Sequence, residues 1–366
     1  MNYAESTFGG DFTVKCSYCN STLSQPSAGQ PAHIIAVNIG GTPQNLKPLR
    51  WLWLLVLIPL SGLLIGLVAA GVGLIPLFRS AANGNRSSVP SRPAADTPKR
   101  DQRVLLTFGS EGIGPGMFTD ARSIAVDATG NIYVGEYSGG RIQVFDGVGK
   151  FITQWTVDPK MPLRGMAADR KGNVYVVQSG KIVKYYDLGG SQLRFKELEY
   201  REGSGFDDIT ASLDGGLVCA WRRNRDDLVR FDSNGLVVKT IQAAVSSASG
   251  RSELNMRVAV DGLGNIYALG TFNDAVFKFG PDGRFINRFG GDGSESGQFQ
   301  APSAIAVDGR GRVFVSDMKG IQVFDSDGRY LSLLKLDGHA FGMVFNDKNE
   351  LFVVARTKVI KLNVAD

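Results

Sequence analysis

Residues 123–155 read SIAVDATGNIYVGEYSGGRIQVFDGVGKFITQW. Four apolar runs, Ser123–Val126, Ile132–Glu136, Arg141–Phe145 and Phe151–Trp155, alternate with the polar stretches DATGN, YSGG and DGVGK. Short runs rich in Val, Ile, Phe and Tyr, punctuated by Gly- and Asp-containing turns, predict a four-stranded antiparallel meander. Its first turn, Asp127-x-x-Gly130, recurs at Asp169/Gly172, Ser212/Gly215, Asp261/Gly264, Asp308/Gly311 and Asn346/Asn349. A short polar side chain can bond its own backbone at the first position, and Gly or Asn accepts the left-handed backbone at the last. The last positions lie 42, 43, 49, 47 and 38 residues apart.

Repeats of this length with four strands each predict the blades of an all-β, six-bladed β-propeller. A blade is packed on both faces, so its strands should be apolar without strict alternation. SIAVD, NIYVG, NVYVVQ and RVFVSD fit that pattern. The sixth repeat ends four residues after its third strand, Lys358–Leu362, while an additional strand, Val104–Phe108, stands ahead of the first. The N-terminal strand is therefore expected to supply the outer strand of the last blade and close the ring, removing a free edge. FGSEGIGPGMF (108–118) and FGGDGSESGQF (289–299) match at an offset of 181, which continues through Ile124/Ile305, Asp127/Asp308 and Gly130/Gly311. GIGPG therefore reads as a connector between blades and not as a phosphate loop, since no helix is expected behind it.

The repeats resemble the NHL family over about 104–364, most specifically in repeats one and five. The resemblance implies a six-bladed propeller whose face recruits a partner. Asp317 keeps the family's acidic residue at the end of the second strand, and Glu136 nearly matches it.

Ahead of the repeats, residues 51–78 contain no charge and are bounded by Arg50 and Arg79. A bilayer core takes about 20 apolar residues in a helix, so this stretch predicts a transmembrane span, with Trp51 and Trp53 at the interface. Residues 79–103 carry six basic and two acidic side chains and no large apolar cluster, which predicts a solvated linker beside the membrane. Flanking charge alone puts the C-terminal part inside; the thiol pair near the N-terminus argues that the N-terminal side is the reducing one. The expectation leans to a cytoplasmic N-terminal tail, 1–50, and an extracytoplasmic propeller, 104–366. Cys16 and Cys19, spaced C-x-x-C, match half of a zinc ribbon. Zinc held by these thiolates, zinc shared by two chains in a dimer, and a metal-free turn all remain open.

The connectors into each first strand and the loops after each second strand should share one face. That face offers Arg122, Arg164, Asp207, Asp208, Arg257 and His339 from the first set, and Glu136, Arg222, Asp317 and Arg356 from the second. Either these form a solvated rim or a mixed-charge pocket for a peptide or small anionic ligand. Histidine occurs only at His33 and His339, which disfavours a His-ligated catalytic metal, and no Ser-His-Asp pattern is visible. A calcium ion in the channel, held by Asp207, Asp208, Glu136 and Asp317, stays conceivable. The leading expectation is a membrane-anchored, non-catalytic recognition or scaffold domain binding a protein or small ligand; the alternative is a calcium-dependent propeller hydrolase or lyase. RNA binding is disfavoured, because residues from 104 onward carry no net charge.

Overall fold

The computed structural model describes residues 103–186, 194–200, 205–222 and 225–364, together with Thr13–Lys15 and Thr22–Ser24. These two short strands pair antiparallel, Thr13 opposite Ser24. Cys16, Cys19 and the expected span 51–78 lie outside the described residues, as does the linker up to 102. Among the described residues no helix is long and apolar enough to cross a membrane.

Residues from 104 onward form six four-stranded antiparallel sheets, the blades of a propeller. Blade 1 runs Ala121–Val126, Ile132–Glu136, Arg141–Phe145 and Phe151–Thr156. The innermost strands of blades 2 to 6 are Leu163–Ala168, Phe206–Ala211, Met256–Val260, Ala304–Val307 and Gly342–Phe345. Blade 6 is completed by Val104–Phe108, which pairs antiparallel with Lys358–Asn363, Val359 opposite Phe108 and Lys361 opposite Leu106. The two ends of the propeller thus share one sheet, as the sequence predicts.

The core lies between blades. Six buried clusters each join neighbouring sheets. At the closure, Phe118, Ile132 and Phe145 meet Phe352, Val354 and Val359 across the junction of blades 1 and 6. Burying one such large side chain stabilises by about 1.5–3 kcal/mol. Ile132–Glu136, Val174–Gln178, Leu217–Trp221, Ile266–Gly270 and Val313–Asp317 are buried along their whole length, because both of their faces meet another blade.

The recurring turns sit at one end of the channel. In blade 1, Gly130 N–H donates to the Asp127 carbonyl at 3.1 Å, and Gly130 has φ 89°. Asp127 Oδ1 accepts from Thr129 N and Asn131 N at 2.9 and 3.0 Å, so the carboxylate replaces a missing turn of ladder. Its other oxygen accepts from Tyr133 Oη at 2.9 Å, and Tyr175 and Tyr267 serve Asp169 and Asp261 in the same way. Burial works to raise the Asp127 pKa, but the bonds from Thr129, Asn131 and Tyr133 hold it below the usual carboxylate range.

The 49-residue spacing between Gly215 and Gly264 has a physical cause that the turn pattern does not reveal. A short helix, Ala244–Ser249, is inserted between blades 3 and 4. Its first amides, Val245 N and Ser246 N, both donate to Asp226 Oδ2 at 2.6 Å. The cap comes from a residue 19 positions upstream, so no local capping signal exists.

Candidate functional site

The six innermost strands surround a central cavity of about 430 Å³. Glycine lets neighbouring strands close in around it: a Cβ on Gly342 would stand 2.5 Å from the Arg122 carbonyl oxygen. At the end opposite the recurring turns, the first strands of blades 1, 2 and 3 each carry a bulge, at Arg122, Arg164 and Asp207. A bulged residue leaves the ladder and is re-aimed; Arg122 and Arg164 line the cavity, while the Asp207 carboxylate is buried against Arg164.

Asp207 is the centre of one charge cluster. Its Oδ1 lies 3.1 Å from Arg164 Nη1 and 3.0 Å from Arg222 Nε. Its Oδ2 is buried and has no hydrogen-bond partner among the described residues. Burial pushes the Asp207 pKa up to about 6, against the pull of Arg222, Arg164 and Arg257. Asp208, beside it, accepts from Val258 N at 2.9 Å and lies 3.6 Å from Arg257, tying blade 3 to blade 4. Burial raises its pKa too. Arg257 crosses to donate to the Arg164 carbonyl at 3.0 Å.

Blades 6 and 1 hold a second cluster. Asp120 pairs with Arg122 at 2.8 Å and with Arg356 at 3.4 Å. The Arg122 guanidinium stacks over Tyr137 at 4.2 Å and over Phe341 at 5.3 Å. Phe341 in turn meets the His339 ring edge-on at 4.8 Å. His339 Nε2 is 2.7 Å from Ser303 Oγ. Arg122, Arg164, Asp208, Arg257 and Phe341 line the cavity itself, while the more exposed Arg222 pairs with the buried Asp207 and Arg356 with Asp120.

Two residues of the expected set are occupied elsewhere. Glu136 Oε1 accepts from Thr119 N and Oγ1 at 2.6 and 2.8 Å, and its Oε2 holds Arg141 Nε at 2.6 Å. Burial opposes that charge, but Arg141 and Thr119 keep the pKa lowered. Asp317 accepts from Gln300 N at 3.2 Å, Gln322 Nε2 at 2.9 Å and Lys319 N at 2.9 Å. Both acids anchor blade connectors. Gln143 and Gln322 complete the same device: each accepts from a connector glycine, Gly116 or Gly297, and donates to a connector carbonyl, Met117 or Gln298.

A calcium ion does not fit these donors. The four carboxylates expected to hold it serve separate partners, and among the described residues no group of three or more His, Cys, Asp or Glu side chains is placed to hold a metal.

Sequence reasoning missed Asp120, which orients two arginines, and Ser303. A signal for Ser303 existed: it stands at the offset of 181 from Arg122, hence at the same point of blade 5.

No family model matches the chain, and no curated protein does. Among solved structures, the chain is similar to a gluconolactonase from Xanthomonas campestris, at 16% identity and a TM-score of 0.54, covering 72% of this chain and 98% of that one. A putative gluconolactonase is similar at 13% identity and a TM-score of 0.54, covering 71% of this chain and 97% of that one. The fold is therefore shared with propellers described as enzymes. At these identities the likeness shows the fold alone, and because that fold is one described for gluconolactonases, the leading expectation of a non-catalytic recognition or scaffold domain is corrected.

Proposed function

We propose that the propeller is a hydrolase for a small anionic ester or lactone that docks at the arginine-lined end of the channel. The observation that carries this reading is that two bulged residues, Arg122 and Arg164, line the cavity with the buried Asp207 carboxylate, on the third bulge, against Arg164. With Arg222, Arg257 and Arg356, the arginines outnumber the carboxylates they pair with, Asp120, Asp207 and Asp208. Hydrolysis of an ester builds negative charge on the carbonyl oxygen and leaves a carboxylate. Fixed guanidinium forks stabilise both. Asp207 holds two of the forks and, with a pKa of about 6, exchanges its proton near neutrality. The donor geometry gives calcium no part in this reading. The neighbouring gluconolactonase makes lactones the first class to try.

The test is a panel of lactones and aryl esters, each with and without a carboxylate, offered to the full chain with a chelator present. Saturable turnover that favours the carboxylated members is expected. Replacing Arg164 by Ala should raise KM about tenfold, the loss of one charge-assisted contact. A chain that hydrolyses none of them, or only after a metal is added, is not this enzyme.

A further part of the reading rests on two sequence features: the uncharged run 51–78 supports a membrane tether for the propeller, and the C-x-x-C pair, Cys16 and Cys19, supports a cytoplasmic N-terminal tail and a zinc site. Thiol labelling of intact cells, compared with accessibility of a tag at Asp366, tests the topology. Zinc content of the purified full chain tests the metal.

A further inference from the structure

The corner between blades 5 and 6 holds a chemistry that the arginine cluster does not explain. Ser303 and His339 are each half-buried, on the connectors that lead into the two innermost strands. Ser303 Oγ lies 2.7 Å from His339 Nε2, 3.0 Å from Ser316 Oγ and 3.0 Å from the Ala340 carbonyl. The neighbouring hydroxyl is committed: Ser316 Oγ accepts from Ala304 N at 3.1 Å and donates to the Ala340 carbonyl at 2.8 Å. The single Ser303 proton has two acceptors within reach, the Ala340 carbonyl at 3.0 Å and, in the tautomer with Nε2 unprotonated, the His339 ring at 2.7 Å, the shorter of the two. Burial lowers the His339 pKa, while the Asp317 carboxylate and a bond from the ring to the Asp317 carbonyl oppose that shift. A neutral ring that gives one N–H to a carbonyl presents a lone pair on its other nitrogen. In the Nδ1–H tautomer that lone pair is on Nε2 and faces the Ser303 hydroxyl. This is the geometry of a hydroxyl beside a general base.

We propose that Ser303 is a nucleophilic serine, activated by His339, that attacks the acyl carbon of an ester or lactone whose anionic group is held by Arg122. The proposal rests on the hydrolase reading for its substrate and on Ser303 and His339 for its chemistry. In the first step the Ser303 Oγ–C bond forms as His339 Nε2 takes the hydroxyl proton. The ester C–O bond then breaks, and the departing alkoxide receives that proton from His339. Water attacks the resulting acyl-serine, giving one proton to His339, and the carboxylic product leaves as Ser303 regains its hydrogen. Arg122 reaches this corner through Phe341, which it stacks on and which touches the His339 ring.

The experiment is labelling of the full chain with a fluorophosphonate, in which Oγ–P bond formation expels fluoride, followed by peptide mapping. The label is expected on the peptide carrying Ser303. It should vanish in Ser303→Ala and persist in Ser332→Ala, a change on the exposed outer strand of the same blade. In His339→Gln, labelling should slow by about 100-fold or more, the usual share of a general base. Should Ser303→Ala unfold, Ser303→Cys serves instead: iodoacetamide alkylation of the introduced thiol is expected to slow when His339→Gln is added. No label on the wild-type chain, a label elsewhere, or a rate indifferent to His339 overturns the proposal. Ester turnover without a Ser303 label sinks this inference and leaves the hydrolase reading standing. A Ser303 label on a chain that hydrolyses no ester or lactone sinks the hydrolase reading and the acyl step with it, and keeps only the activated serine.

Discussion

Blades 1 and 5 are near twins in sequence, and their differences separate scaffold from chemistry. The connectors 108–118 and 289–299 match at one offset. Phe118 and Phe299 are fully buried at the same place, and Gln143 and Gln322 clasp the two connectors with the same kind of bonds. Glu136 and Asp317 take the same backbone amides, Thr119 N and Gln300 N. Where the connector enters the innermost strand the twins part: blade 1 places Arg122 on a bulge, and blade 5 places Ser303 beside a histidine. Positions that hold a blade to its neighbour repeat because the geometry repeats. A position that meets a ligand is free to differ.

The strongest way to break this comparison is through the shared phenylalanines. Phe118→Ala and Phe299→Ala should each cost about 3–5 kcal/mol, as for any large core side chain replaced by a methyl. Denaturant unfolding should give losses alike within error; a large effect in one blade and a small one in the other would show that the twinning is superficial.

Blade 3 sharpens the contrast with a change of opposite sign. The Asp207 carboxyl titrates near 6, above its ordinary value, because burial disfavours its charge. A raised carboxyl pKa means that the native state takes up the proton first, so wild-type stability increases as pH falls from above 6 towards about 4. Asp207→Asn removes that slope. Relative to wild type, the variant should gain stability as pH rises from about 4 to above 6, on the order of a few kcal/mol. Thermal melts at several pH values check this. A function-bearing residue is expected to weaken the fold, whereas the phenylalanines strengthen it.

Next in size are Gln143→Ala and Gln322→Ala. Each leaves a connector amide and carbonyl without their partner, at about 1–3 kcal/mol. Hydrogen exchange at Gly116 and Gly297 should rise in the matching variant and not in the other. Smallest in stability is Arg122→Ala, since this side chain is only partly covered. Its effect belongs to affinity: KM for an anionic substrate should rise about tenfold with kcat little changed. Ser303→Ala should do the reverse, with kcat collapsing and KM steady.

The architecture was legible because its signals are local and repeated. Asp127 to Gly130 closes a turn on its own, and six such turns announce six blades. The closing strand was legible from the mismatch between the two ends, Val104–Phe108 and Lys358–Leu362. The helix Ala244–Ser249 was not, because its cap, Asp226, reaches it across the fold. The tyrosines that pin Asp127, Asp169 and Asp261 were visible as core residues but not as partners. Charged rim residues could be named from their phase in the repeat, yet which of them meet depends on bulges, and a bulge leaves no mark in sequence. Glu136 and Asp317 looked like Asp207 and Asp208 until their partners were seen. Ser303 sits in a connector after Pro302 and reads as a turn residue unless it is aligned with Arg122.

The most direct test of the central claim is steady-state hydrolysis of one aryl ester made in two forms, with and without a carboxylate, by the full chain with chelator present. Saturable turnover of the carboxylated form, with kcat/KM at least about tenfold above that of its neutral twin, is the predicted result. Equal rates for the two forms, or none at all, would contradict it.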